Sequence, residues 1–126
     1  KAVVYTTLGQ VRYLSAAKHV DGVVGNSSSG IIEAPSLQTG TVNIGDRQSG
    51  RVRADSVIDC EPTEENIRNA LQQLFSQEFI LRLREVENPH GSGNVAGKIV
   101  KELETQSIDS IIKKSFFDLA GFDCLV

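Results

Sequence analysis

The stretch of sequence that decides the fold is Val20–Arg53, VDGVVGNSSSGIIEAPSLQTGTVNIGDRQSGRVR. It begins with the apolar run Val20–Val24, which gives way to glycine, asparagine and serine in Gly25–Gly30. A second apolar and β-branched run, Thr41–Ile44, follows a helical turn and ends at another glycine. Short apolar runs that stop at polar, glycine-containing loops are typical of buried strands. The stretch therefore predicts a strand, a polar loop, the start of a helix, a second strand and an arginine-bearing loop.

The residues outside this stretch continue the alternation of strands and helices. Apolar spacing, helix-capping residues and turn residues predict the remaining elements. The predicted strands are Ala2–Tyr5 and Ser56–Asp59. The predicted helices are Leu8–Lys18, Gly30 to about Leu37, which Pro35 must bend or shorten, Thr63–Phe75 with a continuation to Leu83 after a break near Ser76, and Val95–Leu103. Because strands that alternate with helices form parallel sheets with right-handed crossovers, the predicted fold class is α/β, a Rossmann-like parallel sheet flanked by helices.

Length and composition limit the kinds of protein to which this chain can belong. Its 126 residues fit one domain, and 40% hydrophobic and 23% charged residues are ordinary for a globular protein. A net charge of −3 argues against a nucleic-acid partner, because such proteins carry a basic face. No apolar run approaches the ~20 residues that a membrane span needs, so we expect no membrane partner. Cys60 and Cys124 form no metal-type pair, which indicates free thiols and a reducing, cytoplasmic location.

The two ends of the sequence indicate that it is part of a longer protein. Lys1 stands directly before an apparent strand, and the chain contains no methionine. We expect residues 1–106 to form a partial Rossmann-like domain. Residues 107–126 are an apolar tail that no later element buries, so we expect this tail to pack elsewhere in the protein or against another copy. We therefore expect a homo-oligomer.

Two of the predicted strands are followed by polar loops that suit an anion. Ser27–Ser29 precede a helix start, where unpaired backbone N–H groups and the helix dipole favour negative charge. Arg47, Arg51 and Arg53 follow the next strand, and their guanidinium groups match the geometry of phosphate. Because ligands of parallel α/β sheets bind beyond the carboxyl ends of the strands, we expect one shared site. We interpret it as suited to the diphosphate of a nucleotide sugar, with Arg47 as the preferred arginine.

Each of these residues also has an explanation that involves no ligand. Serines commonly cap helices and occupy turns, and Glu33, on the first helical turn, interacts favourably with the helix dipole. The arginines are compatible with a solvated loop whose surface ion pairs contribute little to stability. His19 and His90 have no carboxylate or cysteine partner at a useful spacing, so we interpret both as structural. The sequence carries no paired-carboxylate or metal-binding signature, and we expect no metal.

Three segments of the chain resemble a known enzyme family. They read LGQVRYLSAAKHVDGVVGNSSSGIIEAPSL (8–37), TVNIGDRQSGRVRADSVID (41–59) and NPHGSGNVAGKIV (88–100). Over roughly Thr7–Leu103 the chain is similar to the C-terminal half of the hydrolysing UDP-N-acetylglucosamine 2-epimerases. The specific part of the match is the pair G-N-S-S-S-G…E-A-P-S and N-I-G-D-R-Q-x-G-R. His90 departs from the pattern, because the family has tyrosine at this place in an N-P-Y-G turn.

The resemblance implies a two-domain, glycosyltransferase-B-like protein with its active site between two Rossmann-like halves. This chain would form part of the C-terminal, UDP-binding half. Its expected partners are a UDP-sugar substrate and the missing N-terminal domain of the same chain, which would hold most of the still unknown catalytic residues. By motif match, Ser27 and Ser28 contact the diphosphate. Glu33 binds the ribose, and Arg47 contacts the nucleotide. The additional candidates are Asn26, Ser29 and Arg51.

The resemblance also implies a reaction. UDP is eliminated from UDP-N-acetylglucosamine to leave an unsaturated sugar, which is hydrated to N-acetylmannosamine for sialic-acid-type sugar synthesis. No cofactor, metal or nicotinamide is implied. One alternative is a nucleotide-sugar glycosyltransferase of the same architecture, which passes the sugar to an acceptor. Another is a non-catalytic nucleotide-binding or assembly module, which we expect to describe these residues on their own, because the catalytic groups are absent.

Overall fold

The computed structural model describes residues 1–107, and the unit formed by residues 1–92 is built on a three-stranded parallel sheet. Strand β1 (Val23–Gly25) pairs with β2 (Thr41–Ile44), and β2 pairs with β3 (Val57–Cys60), so β2 is the central strand. The strand predicted at Thr41–Ile44 is confirmed with the same bounds, and the strand predicted at Ser56–Asp59 begins one residue later. The parallel α/β sheet predicted from the sequence is therefore present.

The described part of the chain also contains five α-helices. Within residues 1–107 they are α1 (Gly9–His19), α2 (Ser29–Ile32), α3 (Glu64–Leu74), α4 (Gln77–Leu83) and α5 (Val95–Thr105). The predicted helix start is confirmed, because the Thr63 hydroxyl accepts the Asn66 N–H at 3.3 Å and caps α3. The predicted break is confirmed as well, since Ser76 caps α4 in the same way. Residues 1–92 form one compact unit, and α5 belongs to a second unit that begins at Gly93.

The strand predicted at Ala2–Tyr5 is wrong. These residues have no regular secondary structure, and the side chains of Val3, Val4 and Tyr5 are 72%, 92% and 64% exposed. None of the strands in the described residues pairs with this segment. β-branched sequence favours a strand only where a neighbouring strand supplies hydrogen bonds and a packing surface, so propensity alone was not sufficient here.

The helix predicted from Gly30 to about Leu37 is shortened, as Pro35 led us to expect, and the chain forms two separate pieces. Helix α2 ends at Ile32, and a separate 3-10 helix runs over Ala34–Leu37. Pro35 lies in the first turn of the 3-10 helix, where its missing N–H is not needed, whereas within a longer α-helix it would remove a hydrogen bond. Proline therefore ends α2 after a single turn.

The apolar core lies on one face of the sheet, beneath α3 and α4. Val42 of β2 stands opposite Ile58 of β3, and both pack with Leu74 and Phe79 of the helices. All four side chains are buried, and Phe79 is only 1% exposed. This core holds the central strand firmly against the two helices.

The opposite face of β2 is polar and supports α2. Thr41 and Asn43, which alternate with the core-facing residue of the strand, are 2% and 1% exposed. Thr41 Oγ1 donates a hydrogen bond to the Gly30 carbonyl at 2.9 Å. A Cβ atom on Gly30 would lie 2.5 Å from Thr41 Cγ2, so α2 approaches the sheet this closely only because residue 30 is glycine. The contact fixes the start of α2 against the central strand.

Two predictions fall on residues that lie outside the described part of the chain. The apolar tail from residue 108 onward and Cys124 both lie outside the described residues. The domain division at 106/107 and the packing of the tail therefore stay predictions. Among the helices of residues 1–107, none has the length and apolar character needed to cross a bilayer.

Candidate functional site

Two loops leave the sheet side by side, at the carboxyl ends of β1 and β2. The serine loop, Asn26–Ser28, follows β1, and the arginine loop, Gly45–Arg53, follows β2. Because the two strands are parallel and paired, both loops start at the same edge of the sheet. Gly45 turns the chain out of β2 with a φ of 78°, a conformation that side-chain-bearing residues rarely adopt. The strand order thus brings together the loops on which the sequence-based hypothesis depends.

Asn26 connects the two loops. Gln48 Nε2 donates to the backbone carbonyl of Asn26 at 2.7 Å, and Arg47 Nη1 donates to Asn26 Oδ1 at 3.5 Å. The Gln48 side chain is buried, whereas Arg47 and Asn26 are exposed. A guanidinium group carries five N–H donors, so the bond to Asn26 leaves Arg47 with capacity for an anion. The buried amide sets the spacing of the loops, and Arg47 presents a positive charge at their junction.

Arg53 holds the arginine loop in place. Its Nε lies 3.0 Å from Asp59 Oδ2 in an ion pair, and its Nη2 donates to the Gln48 carbonyl at 3.0 Å. Its Nη1 donates to the Arg51 carbonyl at 3.2 Å. Asp59 also accepts a hydrogen bond from Asn43 Nδ2 at 2.6 Å, so the network reaches the central strand. The positive charge of Arg53 is already paired, which leaves less of it for a ligand than its place in the loop suggested.

Arg51 is exposed in the same loop. Its backbone N–H donates to the Gln48 carbonyl at 3.4 Å, and its own carbonyl accepts from Arg53. Among the hydrogen bonds formed within residues 1–107, none joins Arg51 to the serine loop. Its participation in an anion site therefore stays a prediction.

Beside the serine loop, three side chains form a hydrogen-bonded series. Ser29 Oγ lies 2.6 Å from Tyr13 OH and also forms a hydrogen bond with Glu33 Oε2. Because a carboxylate only accepts, Ser29 donates its single hydroxyl proton to Glu33, and the Tyr13 hydroxyl donates to Ser29. With Ser27, these residues line an open cleft of about 650 Å³. The other lining residues are Tyr5, Thr7, Leu8, Gly9 and Gln10.

The three serines have different surroundings. Ser27 Oγ accepts the Ser29 N–H at 3.3 Å, which stabilises the turn into α2. Ser28 occupies the N-cap position without a side-chain capping bond, and it is not among the residues that line the cleft. Since α2 is only one turn long, its dipole is a weaker source of positive potential than the sequence suggested. The N–H groups of Ser29, Gly30 and Ile31 already have partners within the turn, so the serine hydroxyl groups and Arg47 are the groups best placed to attract an anion.

A second cleft, of about 570 Å³, lies along the arginine loop, β3 and α3. Its lining includes the carboxylates of Asp46, Asp59 and Glu61, which makes it a poor site for phosphate. Cys60 also lines it, and partial burial, together with Asp59 and Glu61, raises the pKa of the Cys60 thiol. This cleft offers no arrangement comparable to the junction of the serine and arginine loops.

Sequence reasoning did not identify Tyr13, Gln48 or Asp59 as contributors to this region. Tyr13 lies on α1, and its hydroxyl reaches Ser29 of α2. One signal was available, because Tyr13 and Ala17 are four residues apart and therefore share a helix face. Ala17 is 4% exposed, so that face is turned toward the body of the domain.

Comparison with known proteins adds the family to this geometry. A family model described as UDP-N-acetylglucosamine 2-epimerase matches residues 1–104. The chain belongs to the UDP-N-acetylglucosamine 2-epimerase family. The resemblance inferred from the serine-loop and arginine-loop motifs is thereby confirmed, and both loops of this epimerase-family chain lie within the matched range.

Several curated relatives are similar to the chain. The GDP/UDP-N,N'-diacetylbacillosamine 2-epimerase (hydrolyzing) of Campylobacter jejuni is 41% identical over 120 residues, which cover 94% of this chain and 31% of that protein. The polysialic acid biosynthesis protein P7 of Escherichia coli is 41% identical over 112 residues, covering 85% and 28%. The UDP-N-acetylglucosamine 2-epimerase of Neisseria meningitidis is 29% identical, covering 94% and 32%. The chain thus spans about a third of the length of these relatives.

Proposed function

We propose that this chain forms the UDP-binding part of a hydrolysing UDP-N-acetylglucosamine 2-epimerase. The observation that carries the proposal is the contact of Asn26 with Arg47 and Gln48, at the carboxyl edge of a parallel sheet. Ligands of parallel α/β sheets bind at this edge. Backbone N–H groups, hydroxyl groups and a guanidinium are the groups that bind phosphate oxygens. Family membership supports UDP, carried by a UDP-sugar, as the nucleotide.

Each residue of the site has a proposed role. Ser27 and Ser28 donate hydrogen bonds to the diphosphate, and Arg47 pairs with its negative charge. Glu33 accepts hydrogen bonds from the ribose hydroxyl groups, since a carboxylate has capacity for several donors besides Ser29. Asn26 orients the Arg47 side chain through the bond between Nη1 and Oδ1.

The proposed reaction releases UDP and then adds water to the remaining sugar. A base takes the proton from C2 of the sugar, the bond from C1 to the diphosphate oxygen breaks, and UDP leaves with the electron pair. Addition of one water molecule to the unsaturated sugar gives N-acetylmannosamine. Negative charge accumulates on the departing diphosphate, so donors that are already in place lower the barrier. Arg47 and the serine loop supply this stabilisation, and the proton-transferring residues lie elsewhere in the protein.

The test is an incubation of the full-length protein that contains this chain with UDP-N-acetylglucosamine and no acceptor. We expect equal amounts of free UDP and N-acetylmannosamine, measured by chromatography. UDP-N,N'-diacetylbacillosamine serves as a comparison substrate, because one of the relatives is named for that sugar. Faster release from this second substrate would correct the sugar within the proposal. UDP release that requires an acceptor would instead indicate a glycosyltransferase and would overturn the proposal.

A further inference from the structure

Tyr13, Ser29 and Glu33 form a chain of two hydrogen bonds that leads from the Tyr13 hydroxyl through Ser29 to the Glu33 carboxylate. Ser29 lies between the other two residues, 2.6 Å from Tyr13 OH and bonded to Glu33 Oε2. All three side chains are half-buried at the edge of the same cleft. We propose that Tyr13 and Ser29 are positioning residues that hold Glu33 for the ribose of the nucleotide. This inference rests on the proposed function and assigns Ser29 a role other than contact with the diphosphate.

The position of helix α1 determines where the Tyr13 hydroxyl lies. The backbone carbonyl of Ala17 accepts a hydrogen bond from Thr39 Oγ1 at 2.9 Å, and Ala17 is buried. Tyr13 lies one helical turn before Ala17 on the same face. Rotation of α1 is thereby restricted, and the phenol ring is held next to the first residue of α2.

Glu33 is restrained from two directions. Its backbone N–H donates to the Ser29 carbonyl at 2.9 Å, which places the two residues one helical turn apart. Its Oε2 accepts from the Ser29 hydroxyl, and that hydroxyl accepts in turn from Tyr13. A free glutamate side chain loses considerable rotamer entropy when it binds a ligand. A side chain that is already ordered avoids much of this cost, so the same hydrogen bonds to ribose give a higher affinity.

The arrangement has a consequence for nucleotide selectivity. With Oε2 occupied by Ser29, a positioned carboxylate presents Oε1 to the sugar in a defined direction. A site that is built to bond a hydroxyl group discriminates against the analogue that lacks it, because its polar group is left without that partner. Tyr13 and Ser29 should therefore increase the preference of the protein for UDP over 2′-deoxy-UDP.

The experiment measures the dissociation constants of UDP and 2′-deoxy-UDP by calorimetry, using the full-length protein. The variants are Tyr13→Phe, Ser29→Ala, both changes together, and Glu33→Gln. Ser15→Ala is the control, since it removes an exposed serine hydroxyl from α1. We expect each variant except the control to reduce the preference for UDP by about 2- to 10-fold, the worth of one hydrogen bond. The double variant should lose little more than either single one, because the two residues act in series.

Other outcomes separate the inference from the proposed function. If Glu33→Gln reduces the preference while Tyr13→Phe and Ser29→Ala do not, the positioning role is wrong and the UDP site stands. If all variants weaken both nucleotides equally, the residues serve only folding, and the inference is again overturned. If the unaltered protein binds neither nucleotide, the proposed function and the inference both fail. Circular dichroism and melting curves identify any variant that does not fold, and Tyr13→Phe retains the aromatic ring.

Discussion

Arg47 and Arg53 lie in one loop, yet their guanidinium groups have different surroundings. The Arg53 side chain is 25% exposed and forms an ion pair with Asp59 at 3.0 Å. Arg47 is exposed, and within residues 1–107 its side chain bonds to the neutral amide of Asn26. An arginine next to a carboxylate attracts an added anion less strongly, because the two nearby charges offset each other. Of these two arginines, Arg47 therefore has the charge that is more available to the proposed diphosphate.

Replacing Arg47 by alanine should impair the proposed epimerase activity more than it impairs folding. We expect Arg47→Ala in the full-length protein to reduce kcat by a factor between several-fold and about 100-fold, because one donor to the leaving group is lost. Arg68→Ala is the matched control, since Arg68 lies on α3 in an exposed ion pair with Glu64. Steady-state kinetics with UDP-N-acetylglucosamine measures both. Equal kinetics of the two variants would remove Arg47 from the site.

Cys60 should react slowly with alkylating reagents at neutral pH. Partial burial and the nearby carboxylates of Asp59 and Glu61 raise the pKa of its thiol, so less of the reactive thiolate is present. We expect the rate of iodoacetamide modification to rise at a higher pH than in the same chain unfolded by urea. Mass spectrometry of the Cys60 peptide gives both pH profiles. Coincident profiles would mean that the folded environment does not affect the thiol.

Residues of the site differ in how far the sequence predicts them. Ser27 and Arg47 are predicted from local order along the chain, since each follows a strand, whereas the proposed role of Glu33 rests on the family motif. Tyr13 and Asp59 are not predicted in this way, because they act through contacts with residues 16 and 6 positions away, respectively. Such contacts depend on the rotation of a helix or the pairing of strands, which local sequence does not specify.

At the scale of elements, strand pairing and proline explain where the sequence-based predictions succeeded and where they failed. The strand Thr41–Ile44 is apolar, β-branched and central, so local pattern and tertiary position agree. The segment Ala2–Tyr5 has the same pattern, but no strand of the described residues pairs with it. The helix predicted from Gly30 to about Leu37 ends already at Ile32, and Pro35 was the signal for this shortening.

Gly30 is the position at which one added methyl group should disturb the packing of an element. A Cβ atom there would lie 2.5 Å from Thr41 Cγ2, so Gly30→Ala should displace α2 and lower the free energy of unfolding by about 1–3 kcal/mol. Urea denaturation measures the change. Gly97→Ala in α5 is the control, because its Cβ would meet only the mobile end of the Asn94 side chain.

A second substitution makes the Gly30 test specific. Thr41→Ser removes Cγ2 and keeps the hydroxyl that donates to the Gly30 carbonyl. The double variant Gly30→Ala with Thr41→Ser should therefore recover much of the lost stability, which appears as a favourable coupling in a double-mutant cycle. Additive losses would show that the close contact is not the cause.

At the scale of the molecule, one face of the sheet carries the apolar core and the other carries polar contacts. Val42 and Ile58 face the apolar core under α3 and α4, whereas Thr41 and Asn43 face the polar side that supports α2 and the loop network. Alternation of strands and helices predicted this architecture, because parallel strands require crossovers. It did not predict the polar network, whose partners come from separate segments.

Binding of UDP should protect only the carboxyl edge of the sheet. We expect UDP to slow hydrogen–deuterium exchange in peptides of the full-length protein that span residues 26–33 and 45–53, while those of α3 and α4 exchange as before. Uridine, which lacks the diphosphate, is the comparison ligand and should leave the arginine loop unprotected. Protection spread evenly over the domain would contradict a local site at the two loops.

The pairing of β1 with β2 has a further consequence for what the chain tolerates. In the observed register Gly25 stands opposite Asn43, and this alignment determines where the next residues on each side meet. A slip by one residue would displace Asn26 along the strand by about 3.3 Å and turn the side chains of β1 to the other face. The affinity for the proposed nucleotide would then report on the alignment of the two strands. An insertion within either strand would abolish binding even in a protein that still unfolds cooperatively.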